Sequence, residues 1–316
     1  MIYSADTNRY SSMEYRRAGK SGVKLSKIAL GFWHNFGDVN TLDNSRSLMR
    51  YAFDKGVNYF DLADNYGPSY GSAEETFGII YQKDFKPYRD EMFIATKAGH
   101  DMWEGPFGEF NSRKHLMAGI DNSLRRMKLD YVDIFYSHRY DPETPLEETL
   151  QTLVDIVRSG KALYVGISKY PDDKAEIAYK YLADRDVHCL LYQGKYNMLS
   201  REPEEKILPQ CQSFGVGYAA FSPLAQGLLT GKYLNGIPKN SRMAKDFFLK
   251  KTDLTPEVIE KLILFKKQAE ENNLTPAQFA LDFVLKNQAV TTVIVGASSV
   301  TQLEELIFEG ITFNLI

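Results

Sequence analysis

The stretch from Val132 to Ser168 reads VDIFYSHRYDPETPLEETLQTLVDIVRSGKALYVGIS. It opens on one apolar run, VDIFYSH, and closes on another, LYVGIS, with a segment of helical period from Pro145 to Arg158 between them. Near-continuous apolar strands that alternate with helices imply a parallel sheet covered on its faces by those helices. Each run ends on a polar residue, His138 and then Ser168, 30 residues apart.

The same unit recurs on either side. KIALG, NYFD and FIATK precede it and LLYQ, YAAFS and TVIVG follow it, making eight runs. Thr41 to Lys55, Ser72 to Tyr81, Ser112 to Met127, Asp172 to Leu182, Glu202 to Phe214 and Thr275 to Leu285 have helical period. Ser72 with Glu75 three places on has the pattern of a capping box, and Thr255-Pro256 and Thr275-Pro276 put proline at first helical positions. Ahead of the first run, YRRAGKSGVKLS reads as a hairpin turning at Lys20-Ser21-Gly22.

The runs end at Gly31, Asp61, Lys97, His138, Ser168, Gln193, Ser222 and Gly296, in steps of 30, 36, 41, 30, 25, 29 and 74 residues. Six steps of about one βα unit predict a closed (β/α)8 TIM barrel, an α/β fold, behind the N-terminal hairpin. The alternative, an open doubly wound sheet, needs G-x-G-x-x-G between its first strand and helix. The nearest match, Gly215-Val216-Gly217-Tyr218-Ala219-Ala220, precedes a strand instead. The long last step contains Leu224 to Leu254, an inserted loop rich in Gly, Lys and Arg, and loops of that length are usually functional. With no Pro/Ser-rich linker, residues 1–316 read as one domain.

Composition narrows the partners. A hydrophobic share of 44% and a charged share of 25% are those of a globular chain. A net charge of −3 offers no broad attraction to nucleic acid or an anionic bilayer. The polar N-terminus lacks the apolar core of a signal peptide, and no apolar run approaches the roughly 18 residues of a membrane span. Cys189 and Cys211 make no disulfide framework or metal knuckle and read as buried thiols in a reducing, cytoplasmic setting.

Barrels of this kind carry their chemistry at the C-terminal ends of the strands. There stand Asp61, Lys97, His138, Ser168, Gln193 and Ser222. Each has a plain alternative: Asp61 as a turn cap, Lys97 snorkelling to solvent, His138 as a satisfied core histidine. Their recurrence in one layer favours an active site. Tyr66, in DLADNYGPSYGSAEE, adds a phenol of reference pKa about 10 that a neighbouring lysine tunes, with an aspartate holding that lysine. Asp61, Tyr66, Lys97 and His138 together suit proton donation to a carbonyl without a metal. His34, His100, His115, His138 and His188 have no metal-ligand spacing.

The stretches FDLADNYG, IATKAG, DIFYSHR, VGISKY, YQGKYN, FSPLAQGLLTGKY and VIVGASSVTQLEE occur in this order over nearly the whole chain. In them the sequence resembles the aldo-keto reductases, from the hairpin to about Glu305. It is most similar to the branch holding the potassium-channel β subunits and the bacterial L-glyceraldehyde 3-phosphate reductases. DMWEGPFG, SRKHL and GLLTGKYLNGIPKNSRM resemble the latter.

The resemblance implies that Tyr66 donates a proton, Lys97 and Asp61 tune it, and His138 orients the substrate carbonyl. It implies NADPH as cofactor. Ser168 and Gln193 hold the carboxamide and Phe221 stacks on the ring, before Ser222, Pro223 and Leu224. Gln226, Gly227, Leu228 and Thr230 line the pyrophosphate; Lys232, Arg242, Ser298 and Gln302 surround the 2′-phosphate beside Gly296; and Glu305 meets the adenine. The plain reading of Lys232 and Arg242 is a solvated basic loop. A cationic pocket is the reason to expect NADPH over NADH, since an unpaired phosphate forgoes charge-assisted bonds of about 1.5–3 kcal/mol each. Trp33 and Trp103 fall where they could wall the substrate mouth, with rim packing the alternative for Trp33, which is also placed beside the cofactor. His34, Arg139 and Lys169 lie near enough to strand ends to meet a substrate phosphate.

Three departures accompany the match. Lys169 follows Ser168 where the family has a small or amide residue, Leu306 stands where an asparagine contacts adenine, and EGITFNLI differs from the family's longer ending, which shapes the substrate pocket. The leading expectation is an NADPH-dependent reductase of a small aldehyde or ketone, of the glyceraldehyde 3-phosphate or methylglyoxal kind. The alternative is an NADP(H)-binding redox-sensing subunit like the channel β subunits, which carry asparagine where His138 stands; a metal-dependent barrel hydrolase is a remote third. The resemblance also implies a homo-oligomer, tetramer or octamer.

Overall fold

A hairpin of β1 (Tyr15–Arg17) and β2 (Lys24–Ser26) leads into the barrel in a computed structural model that describes residues 3–239, 241, 243–245 and 249–307. The barrel strands are β3 (Ile28–Gly31), β4 (Tyr59–Asp61), β5 (Phe93–Ala98), β6 (Val132–Ser137), β7 (Ala162–Ser168), β8 (Cys189–Lys195), β9 (Gly217–Phe221) and β10 (Val290–Val295). They pair in parallel in chain order, and β10 closes on β3. The expected (β/α)8 barrel and its hairpin are therefore present. The hairpin seals the N-terminal end: the Lys20 amide donates to the Gly215 carbonyl just before β9, and Ala18 and Leu25 pack under the barrel interior.

Between the strands run α1 (Leu42–Asp54), α2 (Ser72–Ile80), α3 (Arg113–Met127), α4 (Leu146–Arg158), α5 (Asp172–Ala183) and α6 (Ile207–Phe214). After β9 come α7 (Pro256–Glu271) and α8 (Pro276–Lys286), and α9 (Val300–Leu306) follows β10. Thr255 and Thr275 cap α7 and α8, each hydroxyl accepting from the third helical amide, with Gln278 completing a capping box in α8. Two local readings need correction. The N-cap of α2 is Gly71 at φ 91, and Ser72 is already helical, so Ser72 with Glu75 makes no capping box. The segment from Glu202 is a 3-10 turn, and α6 starts only at Ile207 because Lys206, at φ −135, breaks the helix between them.

Side chains alternate along a strand, so one phase of each barrel strand faces inward. The interior cluster contains Ala29, Tyr59, Phe93, Ala95, Ile134, Tyr136, Leu191, Ala219 and Ile294, with Tyr164 of β7 packed against it, while Leu30, Phe60, Ile94, Phe135 and Val295 pack outward into the shell with the helices. Counting on by twos from the interior set reaches Asp61, Lys97, His138, Ser168, Gln193 and Phe221. The polar strand ends thus continue the barrel's own core upward. Ser222 falls out of phase: it lies beyond β9 at φ 54, and Phe221 is the inward residue there.

Gly166 shows how tightly the interior is filled. A Cβ on it would lie 2.4 Å from the Tyr136 ring and 2.7 Å from the Leu191 carbonyl oxygen. Its missing side chain lets Tyr136 cross the barrel. The loop after β9 forms a small core of its own, in which Leu228, Leu229, Tyr233, Met243 and Leu249 pack on Leu262 and Phe265 of α7. Its described residues contain 3-10 turns and no strand or α-helix before Pro256, matching the expected insertion.

Candidate active site

Lys97 is wholly buried on β5, with all three ammonium protons directed at partners. Its Nζ donates to Asp61 Oδ2 at 2.8 Å, to the Leu62 carbonyl at 2.5 Å and to the Tyr66 hydroxyl at 3.4 Å. The snorkelling alternative is thereby excluded. Asp61 is no turn cap either: its Oδ1 accepts from Gln193 Nε2 at 2.8 Å and from the Tyr59 hydroxyl at 3.1 Å. Tyr59 in turn shares a 2.9 Å hydrogen bond with Tyr136. Strands β4, β5, β6 and β8 are thus joined through one buried carboxylate.

His138 follows β6, its amide bound to the Ala98 carbonyl, and its ring lies edge-on to Tyr66 with centroids 5.8 Å apart. Burial, then the charge of Lys169, holds its pKa well below the usual histidine value, so the imidazole is neutral. Burial also lowers the pKa of Lys97, against the opposing pull of Asp61. Burial, then Asp61 and Asp64, push the pKa of the Tyr66 phenol well above 10. The Lys97 ammonium lies 3.4 Å from the hydroxyl, where a phenolate would form. Asp64 was not singled out in the sequence, yet it is wholly buried and its amide donates to the Lys97 carbonyl. Desolvation, then Glu74, raises its pKa far above the carboxylate range.

The remaining candidate residues ring this centre. Ser168 is buried at the end of β7 and its Oγ has no hydrogen-bond partner among the described residues. Phe221, half-buried, ends β9 and pairs in register with Ile294 of β10. Beyond it the chain takes a left-handed course at Ser222, Ala225, Gln226 and Gly227, with φ from 45 to 99. Such backbone is costly for residues with a side chain and clusters at functional sites. Pro223 and Leu228 are buried, Leu224 is partly buried, and Thr230 Oγ1 closes the turn by donating to the Gly227 carbonyl. The Lys232 amine lies beside Gly227, 2.6 Å from where a Cβ would be. Gly296 follows β10 next to Asn35 and the Trp33 carbonyl; Ser298 and Gln302 bond each other at 2.9 Å; Glu305 is exposed. Arg242 lies outside the described residues. Leu306 is buried in the main core, so packing accounts for an apolar residue there.

The Trp33 and His34 rings meet at a tilt with centroids 3.7 Å apart, and His34 holds φ 67. Trp103 is exposed and rests on His115 at 5.0 Å. Arg139 is already engaged: it donates to the Gly99 carbonyl at 2.9 Å, pairs with Glu109, and lies 4.5 Å over the Phe110 ring. Lys169 instead meets His100, a contact between loops that local sequence does not signal. Among the described residues no three His, Cys, Asp or Glu side chains gather as a metal-holding group.

Comparison with known proteins agrees with this architecture. The model of the aldo/keto reductase family matches residues 27–313. The L-glyceraldehyde 3-phosphate reductase of Escherichia coli (strain K12) is 49% identical over 322 residues, covering 99% of this chain and 93% of that protein. A probable voltage-gated potassium channel subunit beta of Arabidopsis thaliana is 36% identical over 301 residues, covering 93% of this chain and 90% of its own. A putative counterpart in Schizosaccharomyces pombe is 35% identical over 305 residues, covering 93% and 87%. Matched across its barrel and along nearly its full length, the chain belongs to the aldo/keto reductase family and is an oxidoreductase acting on carbonyl groups.

Proposed function

We propose that this chain reduces small aldehydes and reactive ketones with NADPH, and that Tyr66 gives the proton to the carbonyl oxygen. The observation that carries this reading is the buried contact of Lys97 Nζ with both Asp61 and the Tyr66 hydroxyl. A phenol with a raised pKa keeps its proton through neutral pH. When the proton leaves for the carbonyl oxygen, the phenolate forms 3.4 Å from an ammonium that Asp61 and the Leu62 carbonyl hold in place. In a site closed to water such a preset charge acts strongly. His138, neutral, hydrogen-bonds the same oxygen and orients it without adding charge.

The chain's polar groups suit the cofactor. The partnerless Ser168 Oγ fits a carboxamide, Phe221 offers a stacking face, and the left-handed turn at Gln226 and Gly227 brings backbone amides and Lys232 to a pyrophosphate. Bound there, reduced nicotinamide supplies hydride to the carbonyl carbon. Lys232, Arg242, Ser298 and Gln302 would hold the 2′-phosphate. The similar reductase from Escherichia coli makes L-glyceraldehyde 3-phosphate a first substrate to test.

Loss of NADPH absorbance on addition of this aldehyde or of methylglyoxal should be catalytic, with kcat/KM at least about tenfold higher than with NADH, the worth of one charge-assisted bond. Lys232→Ala and Arg242→Ala should each narrow that gap. Equal efficiency with both cofactors in the native protein would overturn the 2′-phosphate assignment. A second reading, an NADP(H)-binding regulatory subunit, is supported by the likeness to the potassium-channel subunits; cofactor binding with no turnover on any aldehyde would favour it.

A further inference from the structure

Lys169 is the first residue after β7, one place beyond Ser168, and its φ of 57 turns it off the strand line. Its Nζ lies 3.1 Å from His100 Nε2. The His100 ring stands edge-on to His138 at 4.5 Å, and His138 in turn faces Tyr66. The amine is thus one ring removed from the imidazole proposed to orient the carbonyl. Resting on that reading of the site, we propose that Lys169, steadied by His100, is an anion subsite at the mouth of the site, and that the carbonyl substrate of this chain carries a phosphate or carboxylate which this amine receives.

The charges around the amine favour this assignment. Among the described residues no carboxylate lies within ion-pair distance of the Lys169 amine, whose hydrogen bond there is to His100, while the backbone amide donates to the Gln193 carbonyl. The charged groups acting on it are Lys97 from β5 and Arg139 from the end of β6. His100 adds no anion: desolvation, then Lys169 and Arg139, lower its pKa to about 4, so Nε2 is a neutral acceptor that leaves the ammonium's other protons for a ligand. A cation crowded by cations and unpaired by any carboxylate gains most when an anion arrives. Arg139, the other cation nearby, is taken by Glu109 and the Gly99 carbonyl and is not the better receiver.

Partial desolvation, then the like charges of Lys97 and Arg139, lower the Lys169 pKa to about 8. The amine is charged below that pH and neutral above it. His100 and His138 titrate below neutrality and Tyr66 above 10, and Lys97, whose pKa is also lowered, acts on both members of a substrate pair alike. From pH 7 to 9 the ratio of each anionic substrate to its neutral partner therefore reports Lys169.

The test compares kcat/KM with NADPH for two matched pairs, glyceraldehyde 3-phosphate against glyceraldehyde and succinic semialdehyde against butanal. The native protein should prefer the anionic member of at least one pair by about tenfold or more, as expected of one charge-assisted bond. Which pair shows the preference identifies phosphate or carboxylate. Lys169→Met should cut that ratio about tenfold, mainly through KM, and Lys169→Arg should keep most of it. In the native protein the ratio should fall as pH rises through about 8. Because Lys169 is exposed, its variants should unfold at the native temperature. A ratio within about twofold of native in Lys169→Met, or no anion preference in a native protein that reduces the neutral aldehydes, overturns the subsite alone. Failure to reduce any of the four overturns the proposed function as well.

Discussion

Tyr66, Lys97 and Asp61 form one buried unit, linked through the Lys97 amine. Removing one partner of a buried ion pair leaves an uncompensated charge, which costs about 3–5 kcal/mol. Lys97→Met should lower stability by that order and reduce aldehyde turnover at least about a hundredfold, the usual effect of losing one preset electrostatic group. Adding Asp61→Leu should restore much of the stability, seen in urea unfolding, while NADPH oxidation stays low. Recovery of activity along with stability would contradict a chemical role for the pair. Asp61 and Lys97 were legible in the sequence because each polar side chain closes an apolar run, and Tyr66 because it stands in the loop that follows Asp61. Their partners were not legible. Gln193 reaches Asp61 across the barrel from 132 positions away, and His100 meets Lys169 across 69, distances that no local pattern encodes. The direction of the Tyr66 pKa was also hidden, because burial of the phenol beside Asp61 and Asp64 becomes visible only in three dimensions.

Within strand β7, Gly166 illustrates how a position in an element supports the centre without touching it. Gly166 makes room for Tyr136, which bonds Tyr59, which bonds Asp61. Gly166→Ala would push on an aromatic ring and on the backbone of β8 together, and overpacking of this kind costs about 1–3 kcal/mol. The urea midpoint should fall by a corresponding amount, and turnover should drop although no reacting group is changed. An unaltered midpoint would mean that the interior yields more readily than its contacts indicate. Elements were read well where apolar periodicity and a cap agreed, as in α7 and α8 with their Thr-Pro starts. They were misread where a side-chain pattern competed with backbone geometry: Gly71 starts α2 in a left-handed conformation that a capping-box pattern at Ser72 does not reveal, and Lys206 interrupts the helical period of its segment.

The whole molecule gathers groups from Asp61 to Gln302 at one end of a barrel whose closure the sequence announces through strand-end spacing alone. A net charge of −3 does not reveal that cations stand locally at Lys97, Lys169 and Lys232. Among the described residues no helix is long and apolar enough to cross a membrane. The barrel supplies the rigid frame, and the loop after β9 carries its own small core against α7. On the function proposed here, carbonyl reduction turns on Tyr66 as the proton donor. Turnover of an aldehyde by Tyr66→Phe, measured as NADPH oxidation while NADPH binding is followed separately by fluorescence titration, is the most direct measurement. The phenylalanine keeps the ring and removes only the hydroxyl. NADPH binding within about twofold of native with turnover reduced at least about a thousandfold, the upper range for losing one transition-state donor, is the predicted result. Retention of most of the turnover would contradict it.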